Sequence, residues 1–368
     1  MTGAEATAEC LKAQGVEVVF GMRGLHITPL AHAVKRRGIR FIEVRHEQSA
    51  AFMADAYARV TGRVGVVMAA TGAGAACTMV GIQEAHASSS PVLLIASQIE
   101  QKHLQKGWGD LHEVKNQHGL IVNVTEGCYD IASAHDIPTT IREIFHRMAS
   151  GRPRPYGLEI PDDILRGEID LRLAYQPAAG QPPVPHAEKL GEAVDAIVGA
   201  KRPVIYAGGG AIASAASQVV AQMAELLNAP VLTSVKGKGV IPEVHALSLG
   251  NLGTEAAVRP LLERADLAVV IGTRFSNRST GKWSLRLPPR WVRIDIDEHQ
   301  FSKTHPALGA RSVVELVGDA KATLAAMLEQ IGRRPFRPQG FARSEVTAVK
   351  QQTLEALRRG FPQEMKLL

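Results

Sequence analysis

The chain has 368 residues, 45% of them apolar and 21% charged, with a formal charge of +6. That length leaves room for two domains with cores of their own, and the composition is that of a soluble globular chain. No apolar run is long enough to span a bilayer, and the basic residues form no stripe interleaved with aromatics, so membrane and nucleic-acid partners are not expected. The first 14 residues lack the basic start and apolar centre of a secretory leader. Cys10, Cys77 and Cys128 are scattered, without metal-ligand spacing. Reduced thiols in a cytoplasmic protein, and no metal ligand set, are the expectation.

Strand and helix signals alternate from the start, which predicts parallel sheets covered by helices. The pattern predicts a strand over 16–20, a helix over 29–37, a strand over 39–44 and a helix over 47–59. Residues 64–69 are apolar throughout, as in a strand buried on both faces. Gly72 and Gly74 interrupt the pattern before a helix that runs to 87, followed by a strand over 91–96. A helix over 135–149 and a strand over 156–160 close the first domain, residues 1–169. Residues 170–185 are rich in Pro, Gln and Ala without periodicity and read as a linker. A second domain, 186–332, opens with a helix over 188–198. Strands over 203–207, 230–233, 267–271 and 292–296 then alternate with helices, notably 214–227 and a last one over 319–331. Residues 333–368 give a Pro- and Arg-rich linker and one more helix, 345–359, with no strand to dock on. The predicted fold class is α/β: two domains, each a mainly parallel sheet flanked by helices.

The most telling segment is Arg45-His46-Glu47, which sets one carboxylate where a strand hands over to an alanine-rich helix. Ala50, Ala51, Ala54 and Ala58 give that helix a face of small residues, suited to close packing on a sheet or another helix. A Glu in the first helical turn is favoured as an anion by about 0.3–1 kcal/mol. Burial opposes the anion by more, so enclosure decides between an ordinary surface carboxylate and an acid–base group. Around it stand Val19-Phe20-Gly21, Tyr57-Ala58-Arg59-Val60-Thr61-Gly62, Gly72-Ala73-Gly74-Ala75 and Ser90-Pro91-Val92. In order and spacing these resemble the pyrimidine-binding domain of thiamine-diphosphate enzymes related to acetolactate synthase and benzaldehyde lyase.

The resemblance implies a thiamine-diphosphate-binding fold followed by a Rossmann-like central domain. It implies that Glu47 activates the cofactor from its pyrimidine end, with Gly24, Gly72 and Gly74 allowing close approach. Leu25-His26-Ile27 looks like the segment that carries an active-site histidine in benzaldehyde lyase. Leu111-His112 falls where relatives carry a Leu-Gln or Phe-Gln pair. His26 and His112 are therefore implied to face the substrate, and His46 less so. The chain departs from the family in having Arg23-Gly24 where Pro-Gly is usual, and Cys77 where the glycine loop commonly ends in Asn. Glyoxylate carboligase lacks the activating Glu, so Glu47 argues against that relative.

Further on, Ala207-Gly208-Gly209-Gly210-Ala211 follows a predicted strand and precedes a helix. Alone, such a turn is a weak dinucleotide fingerprint. With Gly237-Lys238-Gly239, Gly272-Thr273-Arg274-Phe275 and Ile294-Asp295-Ile296-Asp297 it resembles the central domain of the same family. The resemblance marks Gly208, Gly209, Gly272 and Arg274 as positions for FAD or ADP, with an empty structural domain as the open alternative. The family's third domain holds Mg²⁺ and the diphosphate through Gly-Asp-Gly and a later Asn. Here Gly-Asp occurs only at Gly109-Asp110 and Gly318-Asp319, followed by Leu and Ala. Mg²⁺ is thus expected from a missing domain. Three readings stay open: a subunit that works with a separately encoded C-terminal domain, a truncated product, or an inactive nucleotide-binding or scaffolding module. If active, the implied reaction is carboligation or decarboxylation of a 2-keto acid or aldehyde, in a homodimer or homotetramer.

Overall fold

The computed structural model describes residues 1–170, 175–309, 311–336 and 339–363. Parts of both expected linkers (171–174 and 337–338) and the closing residues 364–368 lie outside the described residues. The chain divides into two units, Met1–Gln181 and Pro182–Leu368.

In the first unit the elements run α1 Gly3–Ala13, β1 Val18–Gly21, α2 Thr28–Arg36, β2 Arg40–Glu43, α3 Glu47–Thr61, β3 Gly65–Ala69 and α4 Ala73–Ser88. Then follow β4 Val92–Gln98, α5 Gln117–Val122, β5 Gly127–Asp130, α6 Ile137–Ser150, β6 Tyr156–Pro161 and α7 Asp162–Arg166. All strand pairs are parallel, in the order β2-β1-β3-β4-β6-β5. Successive side chains of a strand point to opposite faces, so both faces of the sheet bury apolar residues. Val19, Val66, Met68, Leu93 and Ile95 belong to one core. Phe20, Val67, Ala69, Leu94 and Ala96 belong to the other, under α3 and α4.

The small-residue face of α3 does what its composition allows. Glu47, Ala50, Ala51, Ala54, Asp55 and Ala58 are buried along one side. A Cβ on Gly65 would lie 2.2 Å from the Ala54 carbonyl oxygen, and one on Gly81 of α4 would lie 2.5 Å from the Ala51 Cβ. The helix touches β3 and α4 closely because neither neighbour carries a side chain at the crossing. Gly62, at φ 71°, ends it in the left-handed cap that glycine favours.

The second unit comprises α8 Ala187–Val198, β7 Pro203–Ala207, α9 Gly209–Ala213, α10 Ser217–Leu227, β8 Val231–Thr233 and β9 Ser248–Gly250. It continues with α11 Arg259–Glu263, β10 Leu267–Ile271, β11 Arg290–Asp295, β12 Arg311–Val317, α12 Ala320–Gly332 and α13 Arg343–Gly360. Its sheet is again parallel, in the order β12-β11-β10-β7-β8-β9.

Three expectations need correction. The helix predicted over 214–227 starts three residues later, as α10 at Ser217, because Ala215 takes φ 52° and parts it from the short α9 that precedes the predicted range. Strands β5, β9 and β12 were not expected; the first two have only four and three residues, too few for a periodic signal. The closing helix α13 is not without a surface to dock on. Val346 and Thr353, seven residues apart on one face, are buried. Phe341 donates its N–H to the Asn228 carbonyl at 2.8 Å and is 2% exposed, which joins the segment before α13 to the second unit.

Gly81→Ala is expected to destabilise the chain by about 1–3 kcal/mol, because the added methyl overpacks the α3–α4 crossing. A lowered urea midpoint at unchanged slope is the expected reading; an unmoved midpoint would show that the helices part without cost.

Candidate active site

Parallel α/β sheets bind ligands beyond the carboxyl ends of their strands, where the strand order switches direction. In the first unit that switch lies between β1 and β3, the chain passing from β1 to β2 on one side and from β3 to β4 on the other. Gly24 and His26 follow β1, Glu47 follows β2, Gly72 and Gly74 follow β3, and His112 lies in the segment after β4. The topology alone brings the sequence-predicted positions of this unit to one end of one sheet.

Glu47 is the first residue of α3 and is 6% exposed. Among the described residues nothing hydrogen-bonds to its carboxylate. A Cβ on Gly74 would lie 3.3 Å from Glu47 Oε1 and 3.2 Å from the Ala70 Cβ. Gly74 therefore sets the start of α4 against that carboxylate, where a side chain would crowd it. His46 has the ordinary structural role: it is the exposed N-cap of α3, its Nδ1 accepting the Gln48 N–H at 3.2 Å.

The other two glycines serve the chain itself. A Cβ on Gly24 would meet the Ala70 Cβ at 2.6 Å, and one on Gly72, at φ +64°, would meet the His112 carbonyl oxygen at 1.9 Å. Gly72 thus lets the 100–116 segment lie on the β3–α4 turn. Gln117 fixes that turn, its Oε1 accepting the Gly72 N–H at 2.5 Å while its Nε2 donates to the Ser97 carbonyl at 2.9 Å and to Glu159 Oε1 at 2.7 Å.

His26 sits in the turn between β1 and α2. Arg166 of α7 holds the turn by donating to the Leu25 carbonyl at 3.0 Å, and Arg23 pairs with Glu43 at 2.7 Å across the ends of β1 and β2. His26 is 8% exposed, and its Nδ1 is buried without a hydrogen-bond partner. Burial holds its imidazolium below the usual imidazole range; His112 and Arg166 push the same way, against Asp162 and Asp110. His112 is exposed, at φ 65°, and close enough for its charge to be felt at His26. The segment that carries it is shaped by Glu113, whose carboxylate accepts the N–H groups of Gly107, Gly109 and Asp110 at 3.0, 2.9 and 3.3 Å.

Gln117, Asp162 and Arg166 were not singled out from the sequence. A second cluster was also missed: His118, Cys128, Asp130 and Glu159 converge beside Gln117. The one signal for it is Cys128-x-Asp130, two chemically active residues on the same face of a strand.

In the second unit the glycines meet one another. A Cβ on Gly208 would lie 2.2 Å from the Gly272 oxygen, and one on Gly272 2.6 Å from the Gly210 Cα. The Gly210 N–H donates to the Gly272 carbonyl at 3.0 Å, and Gly209 lies against Lys236. Close packing of the β7 and β10 ends accounts for these glycines without a nucleotide. Arg274 is exposed.

Comparison with known proteins decides the family. Residues 1–120 match the thiamine pyrophosphate enzyme N-terminal TPP binding domain, and residues 190–327 match the thiamine pyrophosphate enzyme central domain. The chain belongs to the thiamine pyrophosphate enzymes. It is 36% identical over 340 residues to a probable 2-ketoarginine decarboxylase of Pseudomonas aeruginosa, covering 90% of this chain and 58% of that protein. It is 36% identical over 338 residues to a probable acetolactate synthase large subunit of Methanocaldococcus jannaschii, covering 89% of this chain and 56% of the relative. An acetolactate synthase of Mycobacterium bovis is 33% identical over 342 residues, 90% of this chain and 53% of that enzyme. The chain thus spans little more than half the length of these relatives. Among the described residues no helix is long and apolar enough to cross a membrane.

The histidines of this unit should titrate in a definite order. His26 is lowered by burial, whereas at His118 Asp130 and Glu159 outweigh burial and raise it. Neutral His26 therefore contributes stability above its unfolded value of about 6.5 that is lost as pH falls. Protonated His118 contributes stability below that value, lost as pH rises through its folded pKa. An NMR titration of the imidazole resonances in the chelator-treated chain should show His26 protonating at lower pH than His118; the reverse order would contradict these environments.

Proposed function

We propose that this chain supplies the pyrimidine-side half of a thiamine-diphosphate-dependent carboligase or decarboxylase that acts on a 2-keto acid or aldehyde. One observation carries the reading: at the strand-order switch Glu47 is 6% exposed, receives no hydrogen bond from the described residues, and has Gly74 beside it where a side chain would crowd its carboxylate. When bound, thiamine diphosphate supplies the electron sink for breaking a bond beside a carbonyl.

The chain's own residues do the rest. Glu47 exchanges a proton with, or hydrogen-bonds to, a ring nitrogen of the pyrimidine, and its low exposure keeps water from competing for the carboxylate. Gly74 leaves room for the ring beside that carboxylate. His26, whose imidazolium is disfavoured by burial, and His112 are assigned to hold or move a proton at a substrate's carbonyl or hydroxyl oxygen. The Gln117–Gly72 bond and the Glu113 cap set the position of His112.

Diphosphate and Mg²⁺ would be held by residues outside the two matched domains. Self-association into a homodimer or homotetramer fits the outer side of α3 and α4, where Phe52, Met53, Val60 and Val80 are exposed. In the second unit Gly208, Gly209, Gly272 and Arg274 remain the positions for FAD or ADP, though their packing gives a nucleotide no further support.

The test is exchange of the thiazolium ring proton of thiamine diphosphate with solvent deuterium, in the presence of Mg²⁺ and a C-terminal-domain chain. Glu47→Gln is expected to slow the exchange by about 10²–10⁴-fold. An unchanged rate, or cofactor bound by neither the chain nor the complemented pair, would remove Glu47 from the chemistry.

A further inference from the structure

A second group of reactive side chains lies at the β5 edge of the first sheet. Parallel pairing sets Cys128 opposite Gly157 and Asp130 opposite Glu159. Cys128 and Asp130, two residues apart on β5, project to one side. His118, from α5, closes the group: its Nδ1 lies 2.9 Å from Asp130 Oδ1 and 3.1 Å from Glu159 Oε2, and Cys128 Sγ lies 3.7 Å from Glu159 Oε2. One ligand atom from each of the four lies within 4.8 Å of the others.

We propose that His118, Cys128, Asp130 and Glu159 form a binding site for one zinc-class divalent cation, which ties the edge strand β5 to β6 and α5. The donor set of one imidazole nitrogen, one sulfur and two carboxylate oxygens is the mixed N/S/O set that Zn²⁺ takes in four-coordinate sites. A tetrahedron with bonds of about 2.0–2.3 Å has edges of about 3.3–3.8 Å. Separations of 2.9 and 3.1 Å lie just below that range and 3.7 Å inside it, and no pair of the four exceeds 4.8 Å, so small side-chain rotations suffice.

Outer contacts of the kind that orient metal ligands are in place. Gln117 donates to Glu159 Oε1 at 2.7 Å and Gln98 at 3.3 Å, which leaves Oε2 to face the cluster. Glu159 is 3% exposed, whereas the Asp130 and His118 side chains are 63% and 43% exposed, so an ion can enter from solvent. Burial and Asp130 push Glu159 up, and burial and Glu159 push the Cys128 thiol up. Coordination would release the thiol proton, and any proton on His118 Nδ1 or Glu159, to solvent and set the cation's charge against the thiolate and two carboxylates. With all four positions filled by protein, the site would be structural. It is separate from the Mg²⁺ of the diphosphate, and it stands or falls independently of the coenzyme reading. Its connection to the candidate active site is Glu159–Gln117–Gly72, where metal loading would steady the turn under His112.

The full chain, stripped with a chelator, is titrated with Co²⁺ and then Zn²⁺. One equivalent of Co²⁺ is expected to give a thiolate-to-cobalt charge-transfer band and the strong visible bands of tetrahedral cobalt, both bleached by Zn²⁺. Cys128→Ser should abolish the charge-transfer band. His118→Ala, which alters a half-exposed side chain and should leave the circular dichroism spectrum unchanged, should weaken affinity about tenfold or more. Absence of the charge-transfer band, its persistence in Cys128→Ser, or unchanged affinity in His118→Ala would each overturn the site.

Discussion

The contact between α3, α4 and β3 governs where everything else in the first unit can stand. Ala51 meets Gly81 and Ala54 meets Gly65 at distances that exclude any larger residue at either glycine. That closeness draws the start of α3 down onto the sheet, so Glu47 begins its helix enclosed rather than in solvent. The small residues of α3 and α4 are therefore part of the machinery of the carboxylate, although they touch nothing that reacts.

Around that carboxylate the chain uses glycine for two different purposes. Gly74 lets the start of α4 lie beside Glu47 without crowding its carboxylate, whereas Gly72 and Gly24 let backbone and Ala70 come together. A sequence motif groups all three; only the coordinates separate the one that lies against the carboxylate from the two that pack backbone and Ala70. In the second unit the same distinction turns the Gly208, Gly210 and Gly272 cluster into a seam between strand ends.

Much of the fold was legible because its strands are buried on both faces and its helices carry long one-sided patterns. The apolar run at β3, the alanines of α3 and the Gly-rich turn before α4 each announce themselves locally. Strand β5 does not: Gly127, Cys128, Tyr129 and Asp130 are only half-buried or exposed at a sheet edge, and the strand is defined by its partner rather than its own composition. Glu47 could be found from its neighbours in the chain. The His118 cluster could not, since strand register and a helix from a third segment bring its members together. His26 was marked by its surrounding residues, but its buried, unpartnered nitrogen is a property of the turn that Arg166 holds from α7.

The central claim is that Glu47 meets the pyrimidine ring of the coenzyme directly. The most direct measurement is the ¹⁵N resonance of the ring nitrogens of labelled thiamine diphosphate, bound to the assembled protein with Mg²⁺. One ring nitrogen should show the shift of a strong hydrogen bond to a carboxyl group in the native protein and lose it in Glu47→Ala. Identical spectra for the two proteins, both with coenzyme bound, would contradict the account.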